Sequence, residues 1–231
     1  MSMLAVKEVV DFYTQAQKEA LEKGENKIYP NLSLVRLIGR YFGANEGRLL
    51  DFGCGGGANL IHLLERGFTV DAADTSPYSI ETIKQRLEGR ASLCGKVHLR
   101  VLDANAQALP YENEVFDFVV CASVFSLLST KERIQHVASE FKRVLKPGGK
   151  VYMDINGANS EFAIYAEKTG EDLYIYRGRK EKDPPMNVVC LDSKEKFRDL
   201  ISPIFEIDEV GITTHKFFEY VEEEYIICAH K

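Results

Sequence analysis

Cysteine is scarce in this chain and scattered where it occurs. Cys54, Cys94, Cys121, Cys190 and Cys228 form no C-x-x-C pair. That argues against a zinc site and against a disulfide framework, and it fits a reducing, cytoplasmic setting. Long apolar runs are missing as well. The stretch from Phe118 to Thr130 is among the longest without Asp, Glu, Lys or Arg, and it falls short of the roughly 18 apolar residues that a membrane-spanning helix needs. Glu8 and Asp11 interrupt the N-terminus before a signal-peptide core could form, so neither membrane nor secretion is expected. An excess of positive charge is also lacking. Lys and Arg number 29 against 35 Asp and Glu, a formal net charge of −6. A general nucleic-acid surface needs clustered positive charge, so no nucleic-acid partner is expected. No internal repeat and no low-complexity tract is present.

What the chain does have is an ordinary globular balance, 45% hydrophobic and 28% charged over 231 residues, which suits a single domain. Met3–Leu21 reads as an amphipathic helix ending near Gly24, and a second helix is expected from Ser33 to Phe42. The middle of the chain then alternates. Strands are expected at Arg48–Phe52, Phe68–Ala73, Val97–Leu102, Phe116–Ala122 and Lys150–Ile155. Between them stand a helix at Ala58–Arg66, one capped by Ser76 with Pro77 behind it, and one opened by the capping-box pair Ser129 and Glu132. Strands alternating with helices imply a parallel sheet covered on both faces, wound as a doubly wound α/β fold. The segment Asn156–Ser193 lacks this rhythm. Asp192 and Glu195 bracket another helix start, and Phe205–Ile212 with Glu222–Ala229 read as an antiparallel pair that finishes the sheet.

The chemistry concentrates at Leu49–Asn59, LLDFGCGGGAN. Gly53, Gly55, Gly56 and Gly57 join a strand to a helix. Missing side chains let a ligand approach the backbone, and the helix N-terminus offers free N–H groups. Gly53-x-Gly55-x-x-Ala58 satisfies the dinucleotide fingerprint, and Asp74 is the acidic residue that fingerprint places on a ribose. Taken alone, the motif leaves a nicotinamide enzyme and an S-adenosylmethionine enzyme both open.

The rest of the sequence resembles the class I S-adenosylmethionine-dependent methyltransferases over Leu49–Ile155. Asp51 precedes the glycines as in the family's D-x-G-x-G-x-G. Asp74 ends the second strand, followed by Ser76-Pro77. Asp103-Ala104 ends the third. Leu109-Pro110 with Phe116-Asp117 matches an LP…FD signature, and Leu145–Gly149 an LKPGG turn. The resemblance implies a Rossmann-like, three-layer α/β/α fold with a mostly parallel seven-stranded sheet and an antiparallel last strand. It implies S-adenosyl-L-methionine as cofactor. Gly53, Gly55 and Gly57 would cradle its methionine part with Asp51 nearby. Asp74, with Thr75 beside it, would take the ribose hydroxyls. Asp103 and Ala104 would hold the adenine, and the Cys121 backbone would face the ammonium.

Methyl transfer from a sulfonium needs alignment and exclusion of water, and a base only if the acceptor holds its proton. No residue stands out as that base. His62 and His136 lie in expected helices, His98 in a strand, His230 at the terminus. His215 would sit at the carboxyl edge if the sixth strand runs parallel to the first five. The family's asparagine-proline-proline-aromatic motif is absent after the fourth strand, where Cys121–Phe125 stands instead. Together with the acidic balance this favours a small-molecule acceptor, polar or anionic. Residues 1–45 are expected as a helical lid, 46–155 as the cofactor core, 156–193 as an acceptor cap, and 194–231 as a helix and closing strands. Tyr29, Phe125, Asn156 and His215 are the candidate acceptor contacts, and Arg177 and Arg179 are candidate partners for an acidic acceptor. A nicotinamide oxidoreductase, a non-catalytic partner protein of the same fold and an RNA methyltransferase are the competing readings.

Overall fold

In the computed structural model, which describes residues 3–43, 46–178, 185–218 and 220–231, the expected alternation is present. The strands are β1 (Arg48–Phe52), β2 (Thr69–Asp74), β3 (Val97–Val101), β4 (Phe116–Cys121) and β5 (Leu145–Asn156). Residues 166–189 hold β6 (Ala166–Gly170), β7 (Leu173–Tyr176) and β8 (Met186–Val189), and the chain closes with β9 (Glu206–Phe217) and β10 (Tyr220–His230). The main sheet runs β3-β2-β1-β4-β5-β10-β9. The first five strands are parallel to one another, and β10 is antiparallel to both β5 and β9. Two antiparallel steps leave β9 parallel to β5, so the sheet is mostly parallel with one reversed strand, as expected.

Each face of the sheet is covered for a reason legible in the side chains. On one face, α2 (Leu32–Tyr41), α3 (Ala58–Arg66) and α4 (Pro77–Leu87) bury Leu34 and Ile38, Leu60, Leu63 and Leu64, and Ile80 and Ile83 against Leu49, Val70, Val120 and Tyr152. On the other, α6 (Lys131–Val144) and α8 (Lys194–Ile201) bury Ile134, Phe141, Phe197 and Ile201 against Leu50, Val119, Val151 and Ile227. Between β4 and α6 a 3-10 turn, η1 (Phe125–Leu128), carries Phe125 into this second core.

Several local expectations are corrected. The cap of α6 is Thr130, whose hydroxyl accepts the Arg133 N–H at 3.2 Å. Ser129 holds φ of +68° as the C-cap that follows η1, so it lacks the extended backbone an N-cap needs. Strand β5 starts at Leu145, because the Lys146–Gly149 turn stays bonded at the sheet edge through Gly148 and Gly149 to Lys231. The closing pair is one long hairpin, with β9 running to Phe217 and β10 starting at Tyr220. Residues 156–193 depart from the strand–helix alternation, as expected, and what they hold instead is a separate antiparallel sheet of β6, β7 and β8 after the short helix α7 (Glu161–Ile164). That sheet turns Tyr174, Tyr176, Met186 and Val188 onto Val9, Phe12 and Tyr13 of α1 (Met3–Lys23).

At the amino-terminal edge, His230 Nδ1 lies 2.9 Å from Asp208 Oδ1 and Nε2 lies 3.3 Å from Glu206 Oε2. Both ring nitrogens face carboxylates, so the imidazolium is favoured, and the Asp208 hydrogen bond raises the His230 pKa above its ordinary value. The stability this adds is complete below about pH 6.5, the unfolded-state value, and is lost as pH rises through the higher folded-state value. Thermal melts of the wild type and His230→Gln between about pH 6 and 8.5 check this. The wild-type midpoint is expected to fall with pH more steeply than the variant's.

Candidate functional site

The glycine turn after β1 is pinned from two sides. Gly53 and Cys54 both donate their N–H to Ala73 O, at 2.8 and 3.2 Å. Gly55 donates to Asp74 Oδ2 at 2.8 Å, and Ser76 donates to Asp74 Oδ1 at 2.8 Å. Gly53 holds φ of +71°, and a Cβ there would come within 2.3 Å of Val124 Cγ2. Gly55 holds φ of +50°, and a Cβ there would meet nothing nearer than Gln17 Nε2 at 3.9 Å. Gly53 is therefore a packing necessity, whereas Gly55 presents bare backbone to open space.

That space is a cavity of about 450 Å³. Gly53, Gly55, Asp74, Thr75, Asp103 and Ala104 line it, so six of the residues singled out from the sequence are brought together. The Asp51, Gly57 and Cys121 side chains or backbone lie behind that lining. Gly57 is the N-cap of α3, packed on Ile83, and Cys121 is fully buried in β4. Asp51 is 1% exposed, and its Oδ2 has no hydrogen-bond partner among the described residues. Burial first, and then the charge of Asp74, push the Asp51 carboxyl up to about 7. Burial also raises the Asp74 pKa, against the lowering effect of the Ser76 and Gly55 N–H groups.

The acceptor candidates lie elsewhere. Tyr29 is 67% exposed on the α1–α2 connection. Phe125 is packed between Phe141 and Phe197. Asn156 ends β5 with its N–H on Ser126 Oγ. His215 sits opposite Glu222 near the carboxyl end of β9, as expected for a sixth strand parallel to the first five, but on the edge strand far from β1. Arg177 is exposed beyond β7, whose Tyr174 and Tyr176 turn inward; Arg179 lies outside the described residues.

Other lining residues escaped the reading of the sequence. Val9, Tyr13 and Gln17 line the cavity from α1, on a single face at i, i+4, i+8. The Gln inside that stripe was the available signal. Burial, with Tyr176 and Asp74 adding, raises the Tyr13 pKa, so the phenol stays a neutral donor. Arg133, His136 and Glu140 of α6 share a second face. Arg133 Nη2 donates to Ala104 O at 2.9 Å, His136 Nε2 sits 2.6 Å from Gln107 O, and Glu140 accepts the Leu109 N–H at 2.7 Å. That face therefore fixes the connection after β3. Asp103 itself accepts the Asn105 N–H at 2.9 Å in a local turn.

The site suits binding and alignment. Burial drives the Cys54 and Cys121 thiols well above their ordinary pKa, which removes them as nucleophiles. A bare-backbone turn and the Asp74 carboxylate on one cavity, with the orphaned Asp51 oxygen buried behind them, fit a ligand with a cationic end and hydroxyls. Leu102, Leu109 and Val137 add an apolar stretch for a flat ring.

Residues 50–153 match the family model described as a methyltransferase domain. A demethylmenaquinone methyltransferase of Clavibacter sepedonicus is 34% identical over 131 residues, 55% of this chain and 47% of that protein. For most curated relatives the match spans about half or less of their own length, and one Escherichia coli relative, 26% identical, is covered to 74%. Among solved structures, an S-adenosylmethionine-dependent methyltransferase of Methanosarcina mazei superposes with a TM-score of 0.71 at 21% identity, over 84% of this chain and 96% of its own. The 1,6-didemethyltoxoflavin-N1-methyltransferase of Burkholderia thailandensis, solved with S-adenosylhomocysteine bound, gives 0.67 at 12% identity, over 100% and 92%. At these identities the structural likeness is one of fold.

The two glycines should separate in a denaturation experiment. Gly53→Ala combines overpacking against Val124 with a left-handed backbone and is expected to cost about 2–4 kcal/mol. Gly55→Ala meets only the backbone term, about 1–2 kcal/mol. Urea unfolding of both variants measures the difference.

Proposed function

We propose that this chain, whose residues 50–153 match a methyltransferase-domain model, binds S-adenosylmethionine and transfers the methyl group to a small-molecule acceptor. The observation that carries this reading is the convergence of Asp74, Asp103 and the bare Gly55 backbone on one cavity, with the buried Asp51 behind its lining. Asp74 would exchange part of its bonding to Gly55 and Ser76 for the ribose hydroxyls. Asp51, two residues before the turn, would supply negative charge to the ammonium. Ala104, held by Arg133, would present its N–H to the adenine beside Leu102 and Leu109.

Bound S-adenosylmethionine supplies a methyl group already activated on a sulfonium. The protein's share is alignment and exclusion of water. Val9, Tyr13 and Gln17 of α1 cover the cavity, and the β6-β7-β8 sheet packs behind that helix. Such an enclosure suits a small acceptor better than a macromolecule. Residues 156–193 would then act on the acceptor indirectly, by setting the position of α1, since none of their described residues lines the cavity. Val9, Tyr13 and Leu127 replace Tyr29, Phe125, Asn156 and His215 as the side chains in reach of an acceptor.

Calorimetric titration with S-adenosylhomocysteine and with NAD tests the reading. Binding of the first and no binding of the second are expected, and the reverse would establish the oxidoreductase. Asp74→Asn removes a charged acceptor whose hydrogen bonds contribute about 1.5–3 kcal/mol, so affinity should fall roughly 10- to 100-fold.

A further inference from the structure

At the carboxyl end of β5, Asp154 is 1% exposed. Its Oδ1 accepts the Ser123 N–H at 2.5 Å, and its Oδ2 accepts the Tyr152 hydroxyl at 3.3 Å. Ser123 opens the loop after β4 and lines the cavity. It holds φ of +60°, a left-handed backbone that a serine adopts when its surroundings impose it. Val124 follows, and its Cγ2 fills the space in which a Cβ on Gly53 would stand. A continuous path thus runs from a buried carboxylate on β5, through a constrained residue, to a methyl group seated on the glycine turn.

We infer that Asp154 is a positioning residue for the proposed cofactor site: by accepting the Ser123 N–H it fixes the left-handed backbone at 123 and, with it, the seat of Val124 on Gly53. This rests on the cofactor reading above for its functional meaning, though not for its geometry. The titratable groups around Asp154 are Glu224 of β10, Tyr152 of β5 itself, Cys121 of β4 and Lys27 of the α1–α2 connection. Glu222 in turn faces Glu224, and the Asn31 side chain bonds to it. Burial and the neighbouring Glu224 raise the Asp154 pKa, while the Ser123 N–H lowers it. An accepting oxygen at this place matters more in this scheme than a full charge, and an amide oxygen supplies one as well.

Two variants of the full chain separate these features. Asp154→Ala removes the acceptor. Asp154→Asn keeps an oxygen and discards the charge. Amide hydrogen exchange over residues 121–126 and calorimetric S-adenosylhomocysteine affinity are the two readouts. In Asp154→Ala, exchange at Ser123 is expected to quicken about tenfold or more and affinity to fall about tenfold or more. In Asp154→Asn both should stay within about threefold of the wild type. Wild-type affinity in Asp154→Ala overturns the inference, as does a folded Asp154→Asn that loses affinity as far as the alanine variant. Should the alanine variant fail to fold, the asparagine variant decides alone: near-native affinity supports the inference and a loss of about tenfold overturns it. A wild type that binds no S-adenosylhomocysteine, while the exchange contrast persists, removes the cofactor reading and leaves the positioning of Ser123 in place.

Discussion

The turn at the end of β1 is the point at which the remaining constraints meet. It must reverse from strand to helix within a few residues, receive Ala73 O and Asp74 from β2, and leave room for Val124 from the loop after β4. Those neighbours come from the two strands that flank β1, in the order β2-β1-β4. A ligand crevice forms where crossovers depart to opposite faces of a parallel sheet, outside the carboxyl ends of the strands. The helices α3 and α4 leave on one side and α6 on the other, and the cavity occupies the gap.

The electrostatics of the site follow from the same geometry. Burying a carboxylate without a partner costs several kcal/mol or forces it to hold a proton. Asp51 does the latter near neutral pH, with its pKa pushed to about 7. Asp74 avoids much of the cost by accepting backbone N–H groups. A site that keeps one carboxylate satisfied and the next one orphaned is poised for a positively charged group. Around the other end of the cavity, Arg133 and His136 spend their polar atoms on Ala104 and Gln107. Those contacts fix the connection after β3 against α6. The basic run at Arg177 does not line this cavity; the cations that do, among the described residues, are Arg100 and Arg133.

The parallel core was legible because its signals are local. Apolar strands, the glycine turn and the Ser76-Pro77 start each depend on neighbours in sequence, and the family motifs sit on those elements. Longer-range features were not. The three-stranded sheet at 166–189 has strands of four or five residues, too short for an alternation to stand out, and its pairing is fixed by packing on α1. Tyr13 and Gln17 belong to a helix far upstream of the motifs, so only tertiary structure brings them to Asp74 and Gly55. Ser129 and Thr130 both satisfy capping preferences in sequence. The choice between them was made by η1, which holds Ser129 in a left-handed backbone. Phe125 and His215 were candidate acceptor contacts: η1 packs Phe125 into the core, and His215 stands near the carboxyl end of β9 but on the outermost strand, outside the cavity lining.

The claim on which the account turns is that Asp51 waits, about half protonated near pH 7, for the cationic end of a ligand. A nearby ammonium lowers a carboxyl pKa and expels the proton. Calorimetric titration of S-adenosylhomocysteine at about pH 7, in buffers of different ionisation enthalpy, counts that proton directly. The account predicts release of roughly half a proton per ligand by the wild type and none by Asp51→Asn. Binding with no proton release, or with the same release in both proteins, would contradict it.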